Sequence, residues 1–144
     1  FRTYDLNTIE ITAEKYAPNA NEAHASQVPT YAGDYATKKS NNEVLINIWG
    51  YDIKWKISVK EDGKDLPVTR VNAKDPLHII SYELARLNRN ATPSSTFSTS
   101  NTSHMFKVKA SSPTSTLEID VTDRFGRTYS EIMTRPKELT TKMK

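Results

Sequence analysis

Alternation of apolar and polar residues carries most of the structural information in this chain. Ile9 and Ile11 alternate with Thr8, Glu10 and Thr12, the period of a half-buried strand, which predicts that a strand opens the chain there. Residues 44–49 read differently. Val44, Ile46 and Ile48 point one way while Leu45, Asn47 and Trp49 point the other, so this segment is expected to sit centrally in its sheet with both faces covered. Gly50 and Asp52 permit a tight reversal. Trp55, Ile57 and Val59 then alternate with Lys54, Lys56, Ser58 and Lys60, giving one apolar and one charged face. The run Glu61, Asp62, Gly63, Lys64 predicts a hairpin turn in which Gly63 supplies a positive φ. Pro67 offers no N–H to a ladder, so residues 66–71 are expected at a sheet edge.

One helix is predicted. Asp75 caps it and Pro76 takes the first helical position, where a missing N–H costs nothing. Leu77, Ile80, Leu84 and Leu87 fall at spacings of three and four, Arg86 and Arg89 suit the negative end of the dipole, and Asn88 or Asn90 closes the element. Residues 91–103 are dominated by Ser and Thr and predict an exposed loop with Phe97 as its apolar foothold. Strand patterns then resume at Phe106 and Val108, at Leu117, Ile119 and Val121, and at Tyr129 and Glu131 opposite Ile132. Residues 123–126, Asp-Arg-Phe-Gly, form the turn between the last two. About seven strands and one short helix place the chain in the all-β class, as an antiparallel β-sandwich. Residues 13–42 interrupt the pattern as one long irregular segment, with Tyr16, Tyr31 and Tyr35 as its anchors on this surface or another.

A length of 144 residues fits a single domain, 1–144, able to bury roughly 70% of its unfolded surface. Mean hydropathy is -0.65, and no run approaches the ~20 apolar residues of a membrane span. The absence of cysteine excludes a disulfide scaffold, a thiol nucleophile and cysteine-ligated metals. Lys and Arg number 20 against 17 Asp and Glu, a net +3 spread along the chain. Nucleic-acid binders gather cations among exposed aromatics, so no nucleic-acid partner is expected. The densest basic stretch, residues 135–144, reads as a fraying terminus, with the frayed tail placed at 138–144. The chain begins at Phe1 with neither a cationic nor an apolar leader region, and so reads as a processed or excised piece.

Candidate chemistry is sparse. His24, His78 and His104 are the three histidines, and none stands at a metal-ligand spacing from another. Asp75 and His78 come nearest, but a capping aspartate and a first-turn polar residue account for both. No G-x-S-x-G elbow occurs, and glycines at 33, 50, 63 and 126 make no phosphate-binding loop. Trp49, Tyr51 and Trp55 lie within seven residues. Such a cluster either packs into a small core or forms a flat surface on which a sugar ring or base stacks.

Five segments, read in order, carry a resemblance. They are Val44-Leu45-Ile46-Asn47-Ile48-Trp49, Trp55-Lys56-Ile57, Asp75-Pro76-Leu77-His78, His104-Met105-Phe106-Lys107-Val108 and Thr122-Asp123-Arg124-Phe125-Gly126. Together, from about Tyr4 to Lys137, they resemble the C-terminal domain of bacterial calcineurin-like metallophosphoesterases. The resemblance implies an exported, multidomain enzyme, periplasmic, surface-bound or secreted, in which a preceding domain hydrolyses phosphoesters with two divalent metals. That catalytic domain is recognised by D-x-H, G-D-x-x-D, G-N-H-[D/E] and G-H-x-H, which hold the two cations. None of the four occurs here. Gly33-Asp34-Tyr35-Ala36-Thr37 imitates the second but ends in Thr.

No catalytic or metal-binding residue therefore carries over, and no cofactor is expected in this chain. The expected role is that of an accessory, non-catalytic C-terminal domain whose partner is the catalytic domain of the same polypeptide. Residues 13–42 and the first strand, which follow the join, are expected close to that domain. The alternative is a glycan or cell-surface binding module built on Trp49, Tyr51 and Trp55.

Overall fold

The computed structural model describes residues 1–11, 35, 37–84 and 99–140, with 83 and 84 described by backbone alone. Two compact units emerge. The first comprises Phe1–Thr8, Lys39–Asn72 and Ser103–Leu139, and the second Ile9–Lys38, Ala73–Thr102 and Thr140–Lys144.

Eight strands follow in chain order: β1 (Arg2–Asp5), β2 (Glu43–Asn47), β3 (Lys56–Glu61), β4 (Lys64–Asp65), β5 (Thr69–Ala73), β6 (Thr102–Lys109), β7 (Leu117–Thr122) and β8 (Thr128–Met133). They form two four-stranded antiparallel sheets, ordered β1-β2-β6-β5 and β4-β3-β7-β8. The all-β, sandwich-like class read from alternation holds. Ile46 stands opposite Thr3 on one side and Phe106 on the other, so Val44, Ile46, Phe106 and Val108 share one face. Val59, Leu117, Ile119, Val121 and Met133 supply the facing layer of a single buried cluster. Each such side chain contributes about 1.5–3 kcal/mol by leaving water.

β2 is covered on both faces, as its doubled apolar pattern requires: Leu45 and Asn47 are as buried as Val44 and Ile46. It ends at Asn47, however, which leaves Trp49 beyond the strand in a turn. The hairpin between β3 and β4 turns on Asp62 and Gly63, both at positive φ (49° and 72°), the two-residue turn whose twist matches paired strands. Pro67 lies where the chain passes from β4, an edge of one sheet, to β5, an edge of the other. A residue without a ladder donor is tolerated there.

The expected opening strand at Ile9 and Ile11 is not formed. The strand lies earlier, at β1, because Thr8 closes a turn by donating its backbone N–H to the Asp5 carbonyl at 3.1 Å. In the second unit Ile9 and Ile11 are nonetheless buried, and the Ile11 N–H reaches the Tyr35 carbonyl at 2.6 Å. Tyr35 is the anchor its setting predicted: buried, with its hydroxyl donating to the Lys74 carbonyl at 2.9 Å. Tyr16, Tyr31 and the rest of residues 13–34 lie outside the described residues.

The helix, α1, starts where the sequence places it. Asp75 Oδ1 accepts from the N–H of Leu77 at 2.8 Å and of His78 at 3.3 Å, with Pro76 first inside. After Pro76–His78 the coil widens to a π-helical stretch, Ile79–Leu84, which rotates the buried face onto Ile79 and Ile80. The side chain of Leu84, and residues 85–90 with Leu87 and the proposed stop at Asn88 or Asn90, lie outside the described residues. So does Phe97, while Thr99, expected in an exposed loop, is buried.

The expectation of a terminus fraying from residue 135 is overturned. Arg135 is buried, and Lys137 donates its backbone N–H to Asp5 Oδ2 at 3.2 Å. Residues 141–144 of the expected tail lie outside the described residues.

Candidate functional site

The three aromatics singled out by the sequence sit on the connection between β2 and β3. Gly50 (φ 73°) reverses the chain, and the Tyr51 N–H returns to the Ile48 carbonyl at 3.2 Å. Asp52 then organises the second half: its carbonyl accepts from the Trp55 N–H at 3.0 Å and its Oδ1 from the Lys54 N–H at 2.7 Å. This loop presents the three rings differently. Trp49 is 53% exposed, whereas Tyr51 and Trp55 are half-buried against the core cluster.

Tyr51 has little free ring face. Its centroid lies 4.9 Å from that of Phe106 in an edge-on contact at 67°, and the Arg70 guanidinium carbon lies 4.9 Å from it. A stacked sugar requires an open face, and an aromatic pressed on the core at one side and capped by a cation does not offer one. The arrangement does not favour the glycan-platform reading.

A second loop meets this one. The turn at residues 123–126 carries Asp123, whose Oδ1 accepts from the N–H groups of Phe125 (2.8 Å) and Arg127 (3.0 Å), with Gly126 at φ 84°. Arg124 Nη1 lies 3.0 Å from Asp52 Oδ2, tying the two loops together at the same end of the sandwich. Ile53 and Phe125 are 87% and 77% exposed there. Sequence reading passed over both, although an isolated bulky apolar residue inside a Gly/Asp reversal is a legible signal, because the strands on either side bury their own apolar faces without it.

Several of the described carboxylates and imidazoles have structural partners. Asp75 is the helix cap, and His78 stacks edge-on against Tyr82 with centroids 4.6 Å apart. The Nδ1–H of His104 donates to Asn47 Oδ1 at 2.7 Å. Asp5 is paired with Arg135, and Glu61 accepts from the Ser111 N–H at 3.0 Å. Among the described residues no three His, Asp or Glu gather into a group that could hold a metal ion. His24 lies outside them.

No helix among the described residues is long and apolar enough to cross a membrane. No curated protein and no solved structure matches the chain. The family model described as the C terminal of Calcineurin-like phosphoesterase matches residues 1–129, and the chain belongs to that family.

Proposed function

We propose that this member of the family is an accessory, non-catalytic portion of an exported phosphoesterase whose hydrolytic domain, with two divalent cations, precedes it in the same polypeptide. The observation that carries the reading is a match to the C-terminal family model over residues 1–129 in a sequence without any of the four metal-binding motifs of the catalytic domain. Two-metal hydrolysis needs clustered carboxylates and imidazoles to bridge both ions, activate water and steady the leaving oxygen. Asp75 serves instead as a helix cap, and Asp5 and Asp123 as ion-pair partners.

Hydrolysis of p-nitrophenyl phosphate with Mn²⁺ or Mg²⁺ tests the division of labour. The polypeptide that carries the preceding domain is expected to turn over, and residues 1–144 by themselves to remain at the blank rate. Metal-dependent turnover by residues 1–144 would overturn the proposal. Export is tested by locating the epitope-tagged polypeptide in the extracytoplasmic fraction.

A further inference from the structure

Four of the six large hydrophobics exposed among the described residues collect at one end of the sandwich. Trp49 and Ile53 lie on the β2–β3 connection, Phe125 on the β7–β8 turn, and Tyr129 one rung into β8, opposite Val121. Ile132, the fifth, is at the opposite end of β8, and Tyr82 belongs to the other unit. The Asp52–Arg124 bridge fixes the two loops relative to each other. Lys54, Arg124 and Arg127 are exposed around them, with the guanidinium carbons of both arginines 5.8 Å from the Phe125 ring centre.

An apolar, aromatic centre with an arginine-rich rim is the composition of a protein interface. Folding alone gives no reason to hold Ile53 and Phe125 in water. The position of the patch indicates its occupant. β1 pairs Arg2 with Asn47, the last residue of β2, so Phe1 emerges beside the loop that carries Trp49. With a catalytic domain preceding this chain, the connection enters at the same end as the patch, which brings that domain within reach of it.

We propose that Trp49, Ile53 and Phe125, rimmed by Lys54, Arg124 and Arg127, are the docking surface for the phosphoesterase domain of the same polypeptide, against an apolar face edged with carboxylates. This rests on the function proposed above. The cationic rim sets the register by charge while the apolar centre supplies the affinity.

The test uses the polypeptide that includes the preceding domain, as wild type, as Ile53→Ser with Phe125→Ser, and as Ile132→Ser. Limited proteolysis at the domain junction and aryl-phosphate hydrolysis with Mn²⁺ are measured on each. Junction cleavage is expected to accelerate about tenfold or more in the double variant and to stay at the wild-type rate in Ile132→Ser. Because both substituted side chains lie in solvent in the unit itself, the single variants give the same readout at smaller amplitude should the double variant fold poorly. Equal cleavage rates in wild type and double variant, with hydrolysis intact, would overturn this inference and leave the function reading standing. A wild-type polypeptide without metal-dependent hydrolysis would overturn that reading and this inference with it. A dimer in sedimentation that the double variant dissociates would assign the patch to a second copy and overturn the docking assignment.

Discussion

Asp5 and Arg135, 130 residues apart, form a two-pronged ion pair in which both side chains are fully buried: Nε donates to Oδ2 and Nη2 to Oδ1, each at 3.2 Å. Further hydrogen bonds support the pair. Arg135 Nη1 donates to the Ser112 carbonyl at 2.7 Å, and Asp5 also accepts from the N–H of Asn7 at 3.1 Å and of Lys137 at 3.2 Å. Together they join β1, at the start of the chain, to the segment after β8 and to the β6–β7 loop. The family match ends at residue 129, inside β8, yet the fold draws on a residue beyond it. Removing one partner strands the other charge in the interior, so Asp5→Leu or Arg135→Leu is expected to cost about 3–5 kcal/mol. Replacing both is expected to cost well under the sum of the two, since no lone charge remains. Urea unfolding of the three variants measures both quantities.

Two carboxylates make stability depend on acid pH. The Ser115 hydroxyl, followed by the Ser111 N–H, holds Glu61 below its usual value against the opposing effect of burial. Burial pushes Asp123 up, but the N–H groups of Arg127 and Phe125 and the Arg127 guanidinium outweigh it and hold the group low. A folded-state pKa below the unfolded one means that the folded chain binds fewer protons. The stabilisation is therefore complete above about pH 4–4.5 and is lost as pH falls through the folded values. The urea midpoint is expected to be level above about pH 5 and to fall on acidification below about 4. Glu61→Gln and Asp123→Asn are expected to lower the plateau and shrink the acid drop, which a midpoint series across roughly pH 2.5–6 checks.

Local chemistry made much of this fold legible. Asp75 before Pro76, Gly63 in a four-residue reversal, and the strict alternation of Leu117, Ile119 and Val121 each state a local rule that the structure obeys. The exceptions are relationships between distant residues. Nothing near Arg135 announces that Asp5 waits for it, so a basic tail reads as solvated. Nothing near Ile9 announces that Thr8 turns the chain, so a buried irregular segment reads as a strand. For the candidate site, the sequence pointed at the right loop through Trp49, Tyr51 and Trp55. It could not say that Tyr51 packs on Phe106 under Arg70, or that Phe125 arrives from the distant β7–β8 turn, because both follow from the pairing of the sheets.

The two tryptophans are expected to separate cleanly by fluorescence. With Trp55→Phe, the remaining Trp49 is mostly exposed and its emission is expected to be red-shifted and readily quenched by acrylamide. With Trp49→Phe, Trp55, half-buried against the core cluster, is expected to emit further to the blue and to be quenched less. Equal quenching of the two variants would contradict the packing described for this loop.

Gly63 offers a test of turn geometry free of packing. Its φ of 72° is left-handed, and a Cβ built there meets nothing within 4 Å, so Gly63→Ala adds no clash and exposes only the backbone cost. That cost is about 1–2 kcal/mol for an alanine held in this region. Asparagine tolerates the left-handed region better because its short side chain bonds locally, so Gly63→Asn is expected to lose less than Gly63→Ala. Asp62, also at positive φ (49°), is already of the permissive type, and Asp62→Asn is expected to be neutral or slightly stabilising. Urea midpoints that fall from wild type to Gly63→Asn and again to Gly63→Ala would fit the two-residue turn pairing Glu61 with Lys64. An alanine variant as stable as wild type would mean that the hairpin tolerates a different turn, with the β3–β4 register no longer fixed by it.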